Sequence, residues 1–360
     1  MTLFADAATG RHRFHQRLDA SQRRRRAGKC YIDQPDRRSA GRIDRERCVK
    51  IAVMGAGGVG GYFGARLAMG GADVTFVARG AHLAAMRQHG LAVEGGPDEI
   101  RLPFVNVVED PAAIGVVDLV MFAVKLWDTE SAIDQIGPIV GPETTVISFQ
   151  NGVLKDRYLA KAFGLSRIMG GVCYVATSIA RPGVIGRTGA LERMVFGEFD
   201  GADDEPSPRA KRFLTACLAG GIKAEVARDI RREIWEKFVF LVALSGATTT
   251  MRTTIGPIRS NPQTRDFLLD VMREVVAVGR AHGIDLPEDY AEQRLRLADG
   301  LAPDMTSSMH HDLERGNPLE VRWLSGGVVE LGRTVNVPTP LNRAIADILV
   351  LRADGTGKGQ

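Results

Sequence analysis

The chain has 360 residues, 44% hydrophobic and 25% charged, proportions ordinary for globular protein and, at roughly 150 residues per domain, a length that points to more than one domain. Its net charge of +4 is uneven: residues 1–48 hold thirteen Lys or Arg against six Asp or Glu, a local +7 that leaves −3 on the remainder, so no nucleic-acid-binding face is expected on the body. Apolar runs such as Leu119 to Val124 fall far short of a membrane span, and Cys30, Cys48, Cys173 and Cys217 form no CxxC pair, which argues against a disulfide framework or zinc site and for a reducing, cytoplasmic location.

The first 48 residues, with Arg23 to Arg26 in a row and no sustained apolar periodicity, are expected to be a disordered basic extension. No apolar stretch follows the arginines as a secretory signal would require, and Asp6, Asp19, Asp33, Asp36, Asp44 and Glu46 count against a transit peptide. A start of translation at Val49 is the alternative account of this segment.

From Lys50 the pattern changes. Ile51 to Met54 is a short apolar run ended by glycines, and Tyr62, Ala65, Leu67 and Met69 continue in helical register. A second strand is predicted over Val74 to Ala78 and a helix from about Ala81 to His89, with Asp73 placed just before the strand. Further strands are predicted at Leu119–Val124 and Thr145–Phe149. Strands alternating with helices imply a parallel sheet with right-handed crossovers. Residues 169–199 read as β-rich around an Arg181-Pro182-Gly183 turn, and Pro208 to Leu218 as a helix. Beyond Asp229 the segments Ile230–Leu244, Thr264–His282 and Glu320–Val335 read as helices. The expected organisation is therefore α/β: a Rossmann-like dinucleotide-binding domain over 49–229 and an all-helical domain over 230–353.

Gly55-Ala56-Gly57-Gly58-Val59-Gly60 has G-x-G-x-x-G spacing directly after a strand and at the opening of a helix. In that context the first glycine permits the turn, the second admits a pyrophosphate, the third lets helix pack on strand, and the helix N-terminus offers free N–H groups. The second strand ends at Ala78-Arg79-Gly80 with no acid to accept from ribose hydroxyls, so Arg79 is the candidate for a 2′-phosphate and NADP the expected cofactor.

Lys125 and Asn151 each follow a strand, the end at which open parallel sheets bind ligands, although a solvated lysine and a plain Asn-Gly turn are the ordinary alternatives. Lys237 lies four residues after Glu233, the spacing of a helix ion pair. Ser307 or Ser308 could cap a helix, and Glu320 could stabilise a first turn. His310 and His311 are adjacent and would diverge by about 100° on a helix, so no metal site is assigned.

Taken together, the glycine loop, Ala123-Val124-Lys125 with Trp127, Phe149-Gln150-Asn151-Gly152, Glu233-Ile234-Trp235-Glu236-Lys237-Phe238, Ser307-Ser308-Met309 and Leu319-Glu320-Val321 resemble the ketopantoate reductases (2-dehydropantoate 2-reductases) over roughly Val49 to Leu351. The resemblance implies hydride transfer from NADPH to the keto group of a 2-keto acid, ketopantoate first, with pantoate for pantothenate biosynthesis as product. It makes Lys237 the general acid and sets Lys125 beside cofactor and substrate. Asn151 would touch both ligands, the Ala176 backbone the cofactor, Ser308 the substrate carboxylate, and Glu320 the nicotinamide end of the cleft. The reductases also carry asparagines in the helical domain where this chain has Leu241, Ser245, an apolar site near Ile255, and Met305. Ser245 and Thr248 to Thr250 are candidate replacements, and a different 2-keto acid is the alternative substrate. A non-catalytic NADP-binding sensor is the reading outside enzymology, and a homodimer through the helical domain the expected assembly.

Overall fold

A computed structural model describes residues 48–200 and 205–356, so the extension expected over residues 1–48 lies, apart from Cys48, outside the described residues. The described chain carries ten strands in one sheet: β1 (Lys50–Met54), β2 (Asp73–Val77), β3 (Leu91–Glu94), β4 (Ile100–Leu102), β5 (Asn106–Val108), β6 (Leu119–Phe122), β7 (Thr145–Ser148), β8 (Ile168–Arg181), β9 (Val184–Gly197) and β10 (Ala224–Val226). Their order is β4-β3-β9-β8-β7-β6-β1-β2-β5, with β10 on β9. Ile51, Ala52, Val53, Val120, Met121 and Phe122 are fully buried, as continuous apolar strands must be when helices cover both faces.

Those helices are α1 (Gly58–Met69), α2 (Gly80–His89), α3 (Thr129–Ile136), α4 (Lys155–Phe163) and α5 (Pro208–Ala219). One face of the sheet packs Phe63 and Leu67 of α1 and Phe213 of α5, the other Ala132 and Ile136 of α3 and Leu159 of α4. Because the chain passes from β1 to β2 on one side and then to β6 on the other, the order reverses between β1 and β6, and a ligand crevice opens there beyond the carboxyl ends.

The parallel sheet expected from the alternation of strands and helices is present, and it carries two antiparallel pairs as well. β8 and β9 pair antiparallel, as do β3 and β4. The residues between β8 and β9 are only Pro182 and Gly183, and so short a link cannot make the crossover that parallel neighbours need; Gly183 takes φ +77° in that turn. Asp73 is likewise the first residue of β2, opposite Lys50, rather than a residue before it. It remains at the far end of the strand from Arg79.

The helical part comprises α6 (Ile230–Met251), α7 (Ile255–Ser260), α8 (Pro262–Ala281), α9 (Tyr290–Asp299), α10 (Ser308–Arg315), α11 (Ser325–Thr334) and α12 (Pro340–Leu349). Asp229 caps α6 by accepting from the Arg232 N–H. The helix runs seven residues past its expected end at Leu244. Its small polar residues are accommodated because the Thr248 and Thr250 hydroxyls donate to the Leu244 and Gly246 carbonyls, each at 2.7 Å. Phe238, Val239 and Val242 of α6 pack against Leu268, Met272 and Val275 of α8. The single helix expected over Glu320–Val335 is instead a 3-10 turn at Glu320–Arg322 and then α11, broken ahead of Gly326-Gly327, poor helix formers.

A buried polar cluster ties the β8–β9 hairpin to α1. Tyr62 donates to Glu192 at 2.6 Å and accepts from Arg187 at 2.8 Å, while burial and Glu192 push its hydroxyl up to about 12. Tyr62→Phe removes that hydroxyl, so Glu192 loses its 2.6 Å donor and keeps Arg187 at 3.3 Å, while Arg187 loses an acceptor. The expected cost is about 1–3 kcal/mol, read as a lower midpoint in chemical denaturation with the folded-state spectrum unchanged.

Candidate active site

The glycine loop sits at the reversal point. Gly55 takes φ +97°, and a Cβ there would lie 2.9 Å from the Val124 N atom, so the loop after β1 and the segment after β6 touch. A Cβ on Gly58 would lie 2.4 Å from the Thr177 carbonyl oxygen, which brings the backbone beside Ala176 against the start of α1. Gly60 packs on the Gly55 carbonyl and on Val53. At Gly57, by contrast, an added Cβ would meet nothing within 4 Å, and α1 begins with no side-chain cap and no acid in its first turn. Open space before uncapped N–H groups and the positive end of a helix suits an anionic pyrophosphate. Ala56 and Val59 complete the loop, Ala56 donating to the Val77 carbonyl at 3.1 Å.

The second group lies where α6 meets the residues just after β7 and the interior of β8. Lys237 donates to Asn151 Oδ1 at 3.1 Å and to the Cys173 carbonyl at 2.8 Å, with its ammonium 5.7 Å from the Tyr174 ring centre. Burial holds its pKa below the ordinary lysine value. Asn151 Nδ2 donates in turn to Glu320 Oε2 at 3.2 Å, and Glu320 is 4% exposed. The amide is thus oriented from both ends. Lys125 pairs with Asp312 at 2.9 Å; its burial works to lower its pKa, but the charges of Glu320 and Asp312 outweigh that and raise it.

Other predicted residues fall elsewhere. Arg79 is well exposed at the mouth of the crevice and pairs with Asp128 at 2.9 Å. Ser307, not Ser308, caps α10, accepting from the His310 N–H and meeting Thr248 at 3.0 Å; Ser308 is exposed as the first residue of the helix. Ser245 is fully buried with an unpartnered hydroxyl. Neither Ser245 nor Ser308 bonds to the Lys237–Asn151–Glu320 set. His310 turns to Glu314 at 3.2 Å, and among the described residues no group of His, Cys, Asp or Glu is placed to hold a metal ion. No helix among them is long and apolar enough to cross a membrane.

Comparison with known proteins agrees with this arrangement. The family described as "Ketopantoate reductase PanE/ApbA" matches residues 51–201, and its C-terminal family matches residues 229–353. The chain belongs to the ketopantoate reductase family. It is 33% identical to a 2-dehydropantoate 2-reductase of Mesorhizobium japonicum, over 82% of this chain and 95% of that protein. The 2-dehydropantoate 2-reductase structure from Geobacter metallireducens superposes with a TM-score of 0.78 at 28% identity, covering 84% of this chain and 99% of that one. D-mandelate dehydrogenase, solved with NADH and anilino(oxo)acetate, shares the fold at 19% identity with a TM-score of 0.76, covering 84% and 98%. The chain is accordingly an oxidoreductase of ketopantoate reductase type, with an N-terminal Rossmann-like domain and a C-terminal helical domain.

Three charged residues near the site carried no signal in the sequence. Asp312 is 187 residues from its partner Lys125 and was hidden in a polar helix. Lys155 and Asp156, which look like an exposed helix start, are buried: Lys155 is 1% exposed, donates to the Ser148 carbonyl at 2.9 Å and grips both Asp156 oxygens at 2.9 and 3.0 Å. Burial raises the Asp156 pKa despite that lysine. Lys155 shares with Asn151, Lys237, Phe238 and Leu241 a small cavity beneath the ammonium of Lys237. Lys155→Met strands the buried carboxyl and is expected to destabilise by about 3–5 kcal/mol. Replacing the pair together, Lys155→Met with Asp156→Leu, recovers most of the loss, and urea denaturation of the two variants checks both statements.

Proposed function

We propose that the chain is an NADPH-dependent 2-keto acid reductase whose first substrate is ketopantoate, giving pantoate for pantothenate biosynthesis. The observation that carries this reading is the Lys237 ammonium, partly desolvated and held between Asn151 and the Cys173 carbonyl at the ligand end of the sheet. NADPH, held by Gly55 to Gly60, the backbone near Ala176 and, at its 2′-phosphate, Arg79, would supply the hydride. Lys237 polarises the keto group and donates its proton to the oxygen as negative charge develops; lowering its pKa toward neutrality improves that transfer. Asn151, steadied by Glu320, presents its amide to the same substrate, and Lys125 adds a cation beside it. Ser308, at the positive end of α10, is assigned to the substrate carboxylate.

A second reading keeps the chemistry and changes the substrate. Leu241, one turn beyond Lys237, lines the cavity with Val172 and Phe238, and Ile255 is fully buried. Apolar walls there favour a 2-keto acid with fewer hydroxyls, and Ser245 then supplies the remaining polar contact.

NADPH oxidation with ketopantoate and a panel of 2-keto acids tests both readings. Fastest turnover on ketopantoate supports the first, and fastest turnover on an apolar keto acid the second. Lys237→Ala should lower kcat by about 10²-fold or more, and full activity in that variant would sink the assignment. In the wild type the proton donor is lost as pH rises through the Lys237 pKa, so kcat/KM for reduction should decline at a pH below the ~10.4 of a free lysine. Arg79→Ser should raise KM for NADPH about tenfold and leave KM for NADH unchanged, because one charge-assisted contact to phosphate is removed.

A further inference from the structure

His82 joins three segments that lie far apart in sequence. It stands in the first turn of α2, half-buried, with Nε2 2.9 Å from the Ala56 carbonyl oxygen of the glycine loop and Nδ1 3.0 Å from the Gly183 nitrogen in the β8–β9 turn. A backbone carbonyl only accepts and a backbone N–H only donates, so the ring must carry its proton on Nε2 and accept at Nδ1. The two contacts therefore specify one neutral tautomer. Burial favours the same neutral form by lowering the His82 pKa.

The bond to Ala56 bears on the loop through peptide geometry. The Ala56 carbonyl and the Gly57 N–H belong to one planar trans unit, in which they point in opposite directions. Fixing the carbonyl toward His82 therefore aims the Gly57 N–H away from it. Gly57 is the loop residue whose missing side chain faces open space. The Ala56 N–H is held as well, by Val77 at the end of β2, so both peptides flanking Ala56 are pinned. The hairpin also supports the loop where Thr177 meets Gly58.

We propose that His82 is a positioning residue for the dinucleotide: it touches no reacting atom, and it sets the loop amide that receives the pyrophosphate by clamping the Ala56 carbonyl against the β8–β9 turn. The proposal rests on the cofactor reading given above. Losing it should weaken NADPH binding about tenfold, with kcat/KM falling through KM for NADPH rather than through kcat. His82→Gln, whose amide offers one donor and one acceptor, should restore binding that His82→Leu loses.

Fluorescence titration of NADPH into the full-length wild type and the His82→Leu and His82→Gln variants, with each melting temperature and the steady-state constants, makes the test. Weak binding by the Leu variant with recovery in the Gln variant is the expected result. Wild-type affinity in the Leu variant, or equal losses in both, overturns the role of His82 while leaving the cofactor reading intact. Failure of the wild type to bind any nicotinamide dinucleotide overturns both. Should the Leu variant not fold, His82→Met, close in volume and without a donor, is compared with the Gln variant in its place.

Discussion

An ammonium group taken partly out of water is costly unless its N–H groups find acceptors, and the placing of α6 answers that requirement for Lys237. The acceptors are the Asn151 side chain after β7 and the Cys173 carbonyl within β8, so the helix must pass over the end of β7 and the interior of β8. Asn151 can accept from Lys237 in that orientation because its other end donates to Glu320, which is buried in the turn before α11. One cation thus fixes the mutual position of a strand end, a strand backbone, a long helix and a 3-10 turn. The buried Lys155–Asp156 pair works from below in the same way, fastening the start of α4 to the last residue of β7.

The parts of this site that were legible in the sequence are those whose signal is local. Gly55, Gly57 and Gly60 are demanded by backbone geometry within six residues, and the structure gives each a separate reason: a positive φ, an open approach and a close helix–strand contact. The strand ends at Lys125 and Asn151 follow from apolar runs that stop abruptly. Lys155 was not legible, because a Lys-Asp pair opening a helix has the composition of a solvated surface, and its burial is decided by chains folded around it. The length of α6 was misjudged for a related reason: Ser245, Thr248 and Thr249 look like helix-breaking polar residues until the hydroxyl of Thr248 is seen to bond the carbonyl a turn earlier. The Arg181-Pro182-Gly183 turn read within the β-rich residues 169–199 is the link between β8 and β9, and its shortness accounts for their antiparallel pairing.

The two serines at the start of α10 differ in what the fold asks of them. Ser307 is spent on the helix, capping α10 and meeting Thr248. Ser308, one residue on, faces outward at the same positive helix end with its hydroxyl uncommitted to the fold. A cap needs a non-helical backbone just before the first turn, which Ser307 has with φ −109° and ψ 160°. The neighbour inside the first turn cannot perform that task, which leaves Ser308 free for the carboxylate contact proposed above.

On the proposed reading, cofactor and substrate would be met by different parts of the chain. The loop after β1, held by His82, Val77 and Thr177, belongs to the sheet and its hairpin, whereas the wall facing Lys237 is set by α6 through Leu241 and Phe238. Lys237 is bonded to Asn151 and the Cys173 carbonyl, and Asn151 to Glu320, none of these bonds involving Leu241 or Phe238. A substitution at Leu241 would therefore change the shape and polarity of the cavity beside Lys237 without removing any of the hydrogen bonds that hold Lys237. On that reading, the acid reduced could be changed from one face of α6 while the group proposed to donate the proton stays in place.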